Sequence, residues 1–434
     1  MSSPAGLLSC SNETLANIFS DEILSKKDLR SLRLISKELC PAATREFAKR
    51  YVTNPFFFLS RYGLQSLIDI CKHPIFGPEI RSIGFLATKV HISGLKEHVS
   101  DAGSIAKHDS NSSSMVDSLT IISDYARILK EKALLAASGD TKELLTTALQ
   151  ALRQPISITI ANDLDFVGPG QAIGLPLITH YYDGNFNKPI TCIPDLEVNM
   201  KSSLKLIEKV IAKLSTKDHM LLTGLKLKMR RHSQDTPNTS DPSRLDSIIV
   251  QSISGAYSSL TTFHLELDLE SLRCSSSFGS FEELLKAVPN LQVFAFETSC
   301  TDKRPVGMST LERVAKLFSF ETNFELRVLI LQNVPCTLES LQLLMERHKK
   351  TLEHVKLSKI TLLGSWKACL RGMRKELDLQ RLQIADPYTI SRDNTTSRGV
   401  FLPKQQTWRA PTTNSFEGKE NTRTGLDNLI RRTP

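Results

Sequence analysis

Few residues in this chain have the types and the spacing that catalysis or ligand binding requires. A glycine-rich stretch, residues 168–174, follows a strand-like run at 156–160 and could cradle a phosphate group. Its glycines are not spaced as GxGxxG, however, and Pro169 lies within the turn. Pro176 would also cut short the helix that such a site needs. We therefore interpret this stretch as a surface loop.

Histidines and cysteines provide no stronger signal. The ten histidines form no HExxH or HxH set, and residues 180–183 (HYYD) resemble a polar turn more than a metal site. The eight cysteines are scattered without a CxxC pair, which argues against both a zinc site and a secreted disulfide framework. No GxSxG elbow is present. The sequence thus predicts no catalytic residues, no metal site and no cofactor, and we expect the chain not to be an enzyme.

A recurring apolar pattern dominates the rest of the chain. Three apolar residues spaced as i, i+3 and i+5 begin at Ile80, Leu222, Leu260, Leu291, Leu326, Leu352 and Leu379. The last four intervals are 31, 35, 26 and 27 residues, which approaches the period of leucine-rich repeats. Helical patterns lie between these strands at 280–287, 311–318, 338–348 and 366–377.

The repetition predicts an α/β fold in which strand–helix units stack into an irregular solenoid similar to leucine-rich repeats. The alternative is an ordinary α/β domain with a parallel sheet covered on both faces, whose strands would be continuously apolar. The predicted strands instead retain polar residues, such as His264, Lys356 and Gln383. The sequence therefore favours the solenoid.

In such a solenoid the residues that flank the buried pairs point into the concave side. They form a row that we predict to bind a protein target: Lys226, Lys228, His264, Glu266, Glu297, Ile330, Gln332, Lys356 and Gln383. We expect Ile330 to be an exposed apolar anchor in this row, because protein interfaces combine an apolar centre with a polar rim.

The first fifty residues predict three short helices. Ser25 and Asp28 form a capping-box pattern at the start of the second helix, and Pro41 suits the first position of the third. Seven apolar residues are spaced along the first two helices: Leu15, Ile18, Phe19, Ile23, Leu29, Leu32 and Ile35. So small a module buries little surface, so it must pack on the rest of the chain, on a partner, or on both.

Residues 12–13, 15, 18–20, 28–29, 32 and 35–37 resemble the F-box in order and nearly in register, and residues 67–85 resemble the stretch after it in large fungal F-box families. This resemblance implies docking on the Skp-type adaptor of a cullin–RING ubiquitin ligase through the seven apolar residues. Some of the seven must also form the module's own core, and the sequence alone does not divide them between core and interface. Two features depart from the F-box pattern. Cys10-Ser11 replaces the usual Leu-Pro, and Asp21-Glu22 resembles an insertion. Both departures concern affinity for the adaptor more than the fold.

These patterns divide the chain into an F-box at 1–52, a leucine-rich-repeat-like solenoid at 53–385 and a disordered tail at 386–434. Within the solenoid, the small polar residues at about 88–115 predict a flexible insertion. No apolar run is long enough to span a bilayer, and no secretory signal is visible, so we expect an intracellular protein without a membrane partner.

The formal charge of +9 includes a lysine-rich stretch between Lys201 and Arg231. Nucleic acid is an improbable partner, because no aromatic residues are interleaved there for base stacking. Two functions then stay open. The chain either recruits a protein target to an SCF-type ubiquitin ligase, or it is a leucine-rich-repeat scaffold that has no ligase association. Adaptor binding distinguishes the two.

Overall fold

The structure is a computed structural model that shows a mixed α/β protein. It describes residues 10–20, 24–86, 137–152, 154–161, 172–173, 222–229, 259–268, 285–299, 306–320, 323–390 and 413–433, together with some of the residues within 123–135, 206–214 and 400–405. The chain divides into two compact units, Met1–Ile193 with Lys213–Leu221 and Pro194–Ala212 with Leu222–Pro434. The predicted flexible insertion at 88–115 lies outside the described residues.

Three helices open the first unit: α1 (Asn12–Phe19), α2 (Lys26–Ile35) and α3 (Leu39–Tyr51). The predicted capping box is confirmed, because the backbone N–H of Asp28 donates to Ser25 Oγ and that of Ser25 donates to Asp28 Oδ2. The three helices surround a small core of Leu15, Phe19, Leu29, Leu39, Ala42 and Ala43. They therefore form a module with its own apolar centre.

A small parallel sheet follows in the same unit. Its elements are β1 (Phe56–Phe58), α4 (Arg61–Lys72), a 3-10 turn (Gly77–Glu79), β2 (Ser82–Leu86), α5 (Asp140–Ala151), β3 (Ile156–Ala161) and β4 (Ala172–Ile173). The strands lie in the order β3-β2-β1-β4, and each neighbouring pair is parallel. The strand predicted from the apolar pattern that begins at Ile80 is thus confirmed.

The second unit contains a larger, mostly parallel sheet. The strands and helices of the second unit are, in chain order, β5 (Leu222–Met229), β6 (Thr262–Asp268), β7 (Val293–Ser299), β8 (Val306–Gly307), α6 (Met308–Ser319), β9 (Val328–Gln332), β10 (Pro335–Thr337), α7 (Leu338–Arg347), β11 (His354–Ser358), β12 (Thr361–Leu363), α8 (Trp366–Glu376), β13 (Arg381–Ala385), β14 (Tyr388–Ile390), β15 (Val400–Phe401), β16 (Lys404–Gln405), β17 (Thr413–Glu417) and α9 (Lys419–Arg432). The strands of the large sheet lie in the order β5-β6-β7-β9-β11-β13-β17, and only the last pair is antiparallel. The strands predicted from the apolar pattern are therefore present.

Burial alternates along the strands of this sheet. Leu329 and Leu331 are buried in β9, whereas Val328, Ile330 and Gln332, which alternate with them, are only half-buried. The same alternation occurs in β6 and β11. Since side chains of a strand point alternately to its two faces, one face of the sheet is covered and the other is partly open.

From β9 onward the chain repeats one unit of a long strand, a short strand and a helix. The short strands β10, β12 and β14 form a second parallel ladder, which β16 extends antiparallel. A residue with positive φ turns the chain between each long and short strand: Asn333 (58°), Lys359 (53°) and Asp386 (46°). The backbone N–H of Asn333 donates to Ser358 O at 2.7 Å, and the backbone N–H of Lys359 donates to Ala385 O at 2.8 Å. The turns at Asn333 and Lys359 are thus each tied to the end of the next long strand.

The prediction of a disordered tail from 386 onward is wrong for its described residues. Strand β17 pairs antiparallel with β13 over five residues, and α9 packs on α8. Leu426 and Leu429 are buried, and Arg374 forms an ion pair with Asp427 at 3.1 Å. The tail is polar overall, but these two leucines are three residues apart and form a narrow apolar stripe that the edge of the sheet can cover.

Candidate functional site

The N-terminal module divides its predicted adaptor-binding residues between core and surface. Leu15, Phe19 and Leu29 are buried, and Leu32 packs partly buried against them. The sequence left open which of the seven residues form the core and which the interface, and these four belong to the core of the module. Ile18 is 39% exposed and Ile35 70% exposed. Ile23 lies outside the described residues.

Leu34 was not among the predicted residues, although it is 88% exposed at the end of α2. The sequence signal for it was weak, because Leu32, Leu34 and Ile35 are all apolar and helical spacing alone does not decide which of them faces outward. Among the described residues of the module, three large apolar side chains are exposed at its surface: Ile18, Leu34 and Ile35. Exposed apolar side chains on so small a module indicate a surface that can bind another protein.

Two arginines hold the module together and to the turn that follows α4. Arg50 of α3 donates to Phe19 O at 2.8 Å and to Leu24 O at 3.1 Å. Arg33 of α2 donates to Thr44 Oγ1 at 3.1 Å, and its guanidinium carbon lies 4.9 Å from the ring centroid of Phe47. The same carbon lies 5.3 Å from the ring of Phe76, beyond the module. Hydrogen bonds from α3 thus hold the end of α1 and the chain just before α2. Arg33 also connects α2 with the turn that follows α4.

The predicted target-binding residues lie in register on the partly open side of the large sheet. One row crosses the strands as Lys226, His264, Ala295, Ile330, Lys356 and Gln383. A second row, one pleat away, contains Lys228, Glu266, Glu297, Gln332 and Ser358. All nine predicted residues are therefore brought onto one face, which we call the open face.

A network of charged and polar side chains occupies the β5–β9 side of the open face. Lys228 Nζ lies 3.3 Å from Glu266 Oε2, and His264 Nε2 lies 3.6 Å from Glu297 Oε2. Gln332 Nε2 donates to Glu297 Oε1 at 2.7 Å. The imidazole of His264 is the main cause that holds the pKa of Glu297 below its usual value, against the opposing effect of burial.

Lys226 differs from the other members of this network. No carboxylate of the described residues lies within ion-pair distance of its ammonium group. Burial is the main cause that lowers its pKa, and the charge of Lys228 adds to the effect, while Glu266 and Glu297 offset part of it. Lys226 is thus a half-buried cation on the open face for which the described residues supply no bonded counter-charge.

The centre of the open face is apolar. Ile330 is half-buried, whereas the sequence analysis expected it to be exposed. Val293 and Val328 are also half-buried and lie beside each other in the register of β7 and β9, with Ala295 next to Ile330. The sequence reasoning missed the two valines because they are the first residues of their strands. The apolar centre of the open face is therefore a patch rather than a single side chain.

The open face also contains three side chains that could together hold a cation. Ligand atoms of His264, Glu266 and Glu297 lie within 4.8 Å of one another. Lys228 already contacts Glu266, Gln332 already donates to Glu297, and the ammonium groups of both lysines would repel a divalent ion. We therefore describe the cluster as an ion-pair network.

Within the part of the chain that the structure describes, no helix has the length and apolar character needed to cross a bilayer. Neither the models of known protein families nor the curated proteins include a match to this chain.

Proposed function

We propose that this chain is the target-recruiting subunit of an SCF-type cullin–RING ubiquitin ligase. The N-terminal module would dock on a Skp-type adaptor, and the strand–helix repeats, stacked as a leucine-rich-repeat-like solenoid, would bind the target. Catalysis would belong to the partners, and this chain would contribute proximity by raising the effective concentration of the target.

One observation carries the proposal. The module fills its own core and still exposes Ile18, Leu34 and Ile35. A module of about forty residues gains no stability from side chains that stay in water. A partner that covers them would bury their apolar surface, which favours binding. The resemblance to the F-box identifies the partner as a Skp-type adaptor.

The test is co-purification of the adaptor with a triple variant, Ile18→Ala, Leu34→Ala and Ile35→Ala. We expect adaptor binding to be lost, because interfaces concentrate their energy in a few apolar anchors, each worth about 2 kcal/mol or more. The matched control is Asn17→Ala, Arg30→Ala and Ser31→Ala, which changes exposed polar residues on the same two helices. Adaptor binding by a folded triple variant, or none by the unchanged chain, would leave the scaffold function as the better reading.

Target recruitment is assigned to the open face because it combines an apolar centre with charged neighbours, as protein interfaces do. Replacing Ile330 and Lys356 with Glu should abolish capture of the target while adaptor binding persists. The control is Leu343→Glu with Lys350→Glu, which introduces the same charges at exposed positions in and after α7. Proteins that co-purify with the control and not with the Ile330 and Lys356 variant are the candidate targets. Undiminished capture would place recognition on another surface.

A further inference from the structure

We propose that the open face binds an extended protein segment that carries an acidic side chain about four residues away from an aliphatic one. The acidic group would pair with Lys226, and the aliphatic side chain would lie on Val293, Val328 and Ile330. This inference rests on the proposed function, since it names the class of target that the open face recognises.

The acidic group follows from the charges of the network. Glu266 and Glu297 already have bonded partners in Lys228, His264 and Gln332. Lys226 has no such partner among the described residues. Its ammonium group is half-buried, so water solvates it incompletely, and an incoming carboxylate or phosphate would replace the missing counter-charge.

The spacing follows from the register of the sheet. Lys226 lies on β5 and Ile330 on β9, and β6 and β7 are the two strands between them. Neighbouring strands are about 4.8 Å apart, so the three steps from Lys226 to Ile330 cover about 14 Å. An extended segment advances about 3.3 Å per residue, and 14 Å therefore corresponds to about four residues. His264 and Ala295 lie under the residues between the two contacts.

The extended conformation follows from the shape of the row. Lys226, His264, Ala295 and Ile330 occupy one line perpendicular to the strands. The neighbouring line contains Lys228, Glu266, Glu297 and Gln332, which pair with one another and with His264. A segment that lies along this line can satisfy Lys226 at one end and bury an aliphatic group at the other. The interleaved pairs would stay intact, so binding need not break any ion pair of the network.

The experiment measures binding of fluorescein-labelled synthetic peptides to the full chain by fluorescence anisotropy. The peptides place one Glu and one Leu in a Ser–Thr–Gly background, with the separation varied from two to seven positions. We expect the tightest binding at a separation of four and at least tenfold weaker binding when Glu is replaced by Gln. The Lys226→Met variant should lose the preference for Glu over Gln, whereas Lys350→Met, at an exposed lysine of the same unit, should retain it.

Several results would overturn the inference. They are binding that does not depend on the separation, a preference for Gln over Glu, or no measurable binding of any peptide. Binding that disappears in EDTA would instead assign the face to a metal held by His264, Glu266 and Glu297. The Glu-to-Gln peptide series tests the claim even if Lys226→Met fails to fold. Adaptor co-purification from the same preparations separates the two proposals, because it can succeed or fail independently of the peptides.

Discussion

The docking of α9 on the sheet can be tested with a single adjacent pair of residues. Leu429 is 2% exposed, whereas Asn428 next to it is exposed. Truncating a buried leucine removes its transfer free energy and leaves a cavity, at a combined cost of about 2–5 kcal/mol. Leu429→Ala should therefore weaken the attachment of α9 by that amount. Asn428→Ala should change it by less than about 0.5 kcal/mol.

Hydrogen exchange over residues 419–432 measures this difference directly, because local opening of a terminal helix controls its exchange. Each 1.4 kcal/mol corresponds to a tenfold change in an equilibrium constant, so Leu429→Ala should accelerate exchange roughly 30-fold or more. Asn428→Ala should accelerate it less than about threefold by the same conversion. Equal exchange in the two variants would show that Leu429 is not packed and that α9 does not dock on α8.

Three further predictions concern other contacts. Gly425→Ala should destabilise α9 although Ala favours helices by about 1 kcal/mol, because a Cβ atom at this position would lie 2.4 Å from the ring of Phe416; higher stability in urea would contradict that contact. Leu329→Ala should cost about 2–5 kcal/mol in urea unfolding and Lys356→Ala under about 0.5 kcal/mol, and two equally harmless changes would refute the strand register. Burial lowers the pKa of His348 from 6.5 to about 4, so the unfolded chain binds more protons between those values and stability should fall as the pH drops from 6.5 to 4. His348→Gln should show a shallower fall over that window, and an unchanged slope would argue against the buried neutral imidazole.

The sequence by itself determined the local elements of this protein. The spacing of Leu329 and Leu331 requires one face of a strand to be buried, and the capping box of Ser25 and Asp28 defines where α2 begins. Both patterns depend on residues only a few positions apart, so side-chain periodicity and local hydrogen bonding are enough to read them. For the same reason the residues of the open face could be predicted as a row before their contacts were known.

The tertiary structure alone decided which partner each element meets. Ile18 and Phe19 are adjacent and both apolar, and only the position of α3 makes one a surface residue and the other a core residue. The tail forms β17 because the edge of β13 is available for pairing, and the sequence of residues 413–417 alone does not predict this pairing. His264, Glu297 and Gln332 come together from strands more than thirty residues apart. Such contacts depend on long-range register and packing, which local periodicity does not encode. Contacts of this kind also make the surroundings of Lys226 different from those of the neighbouring lysines.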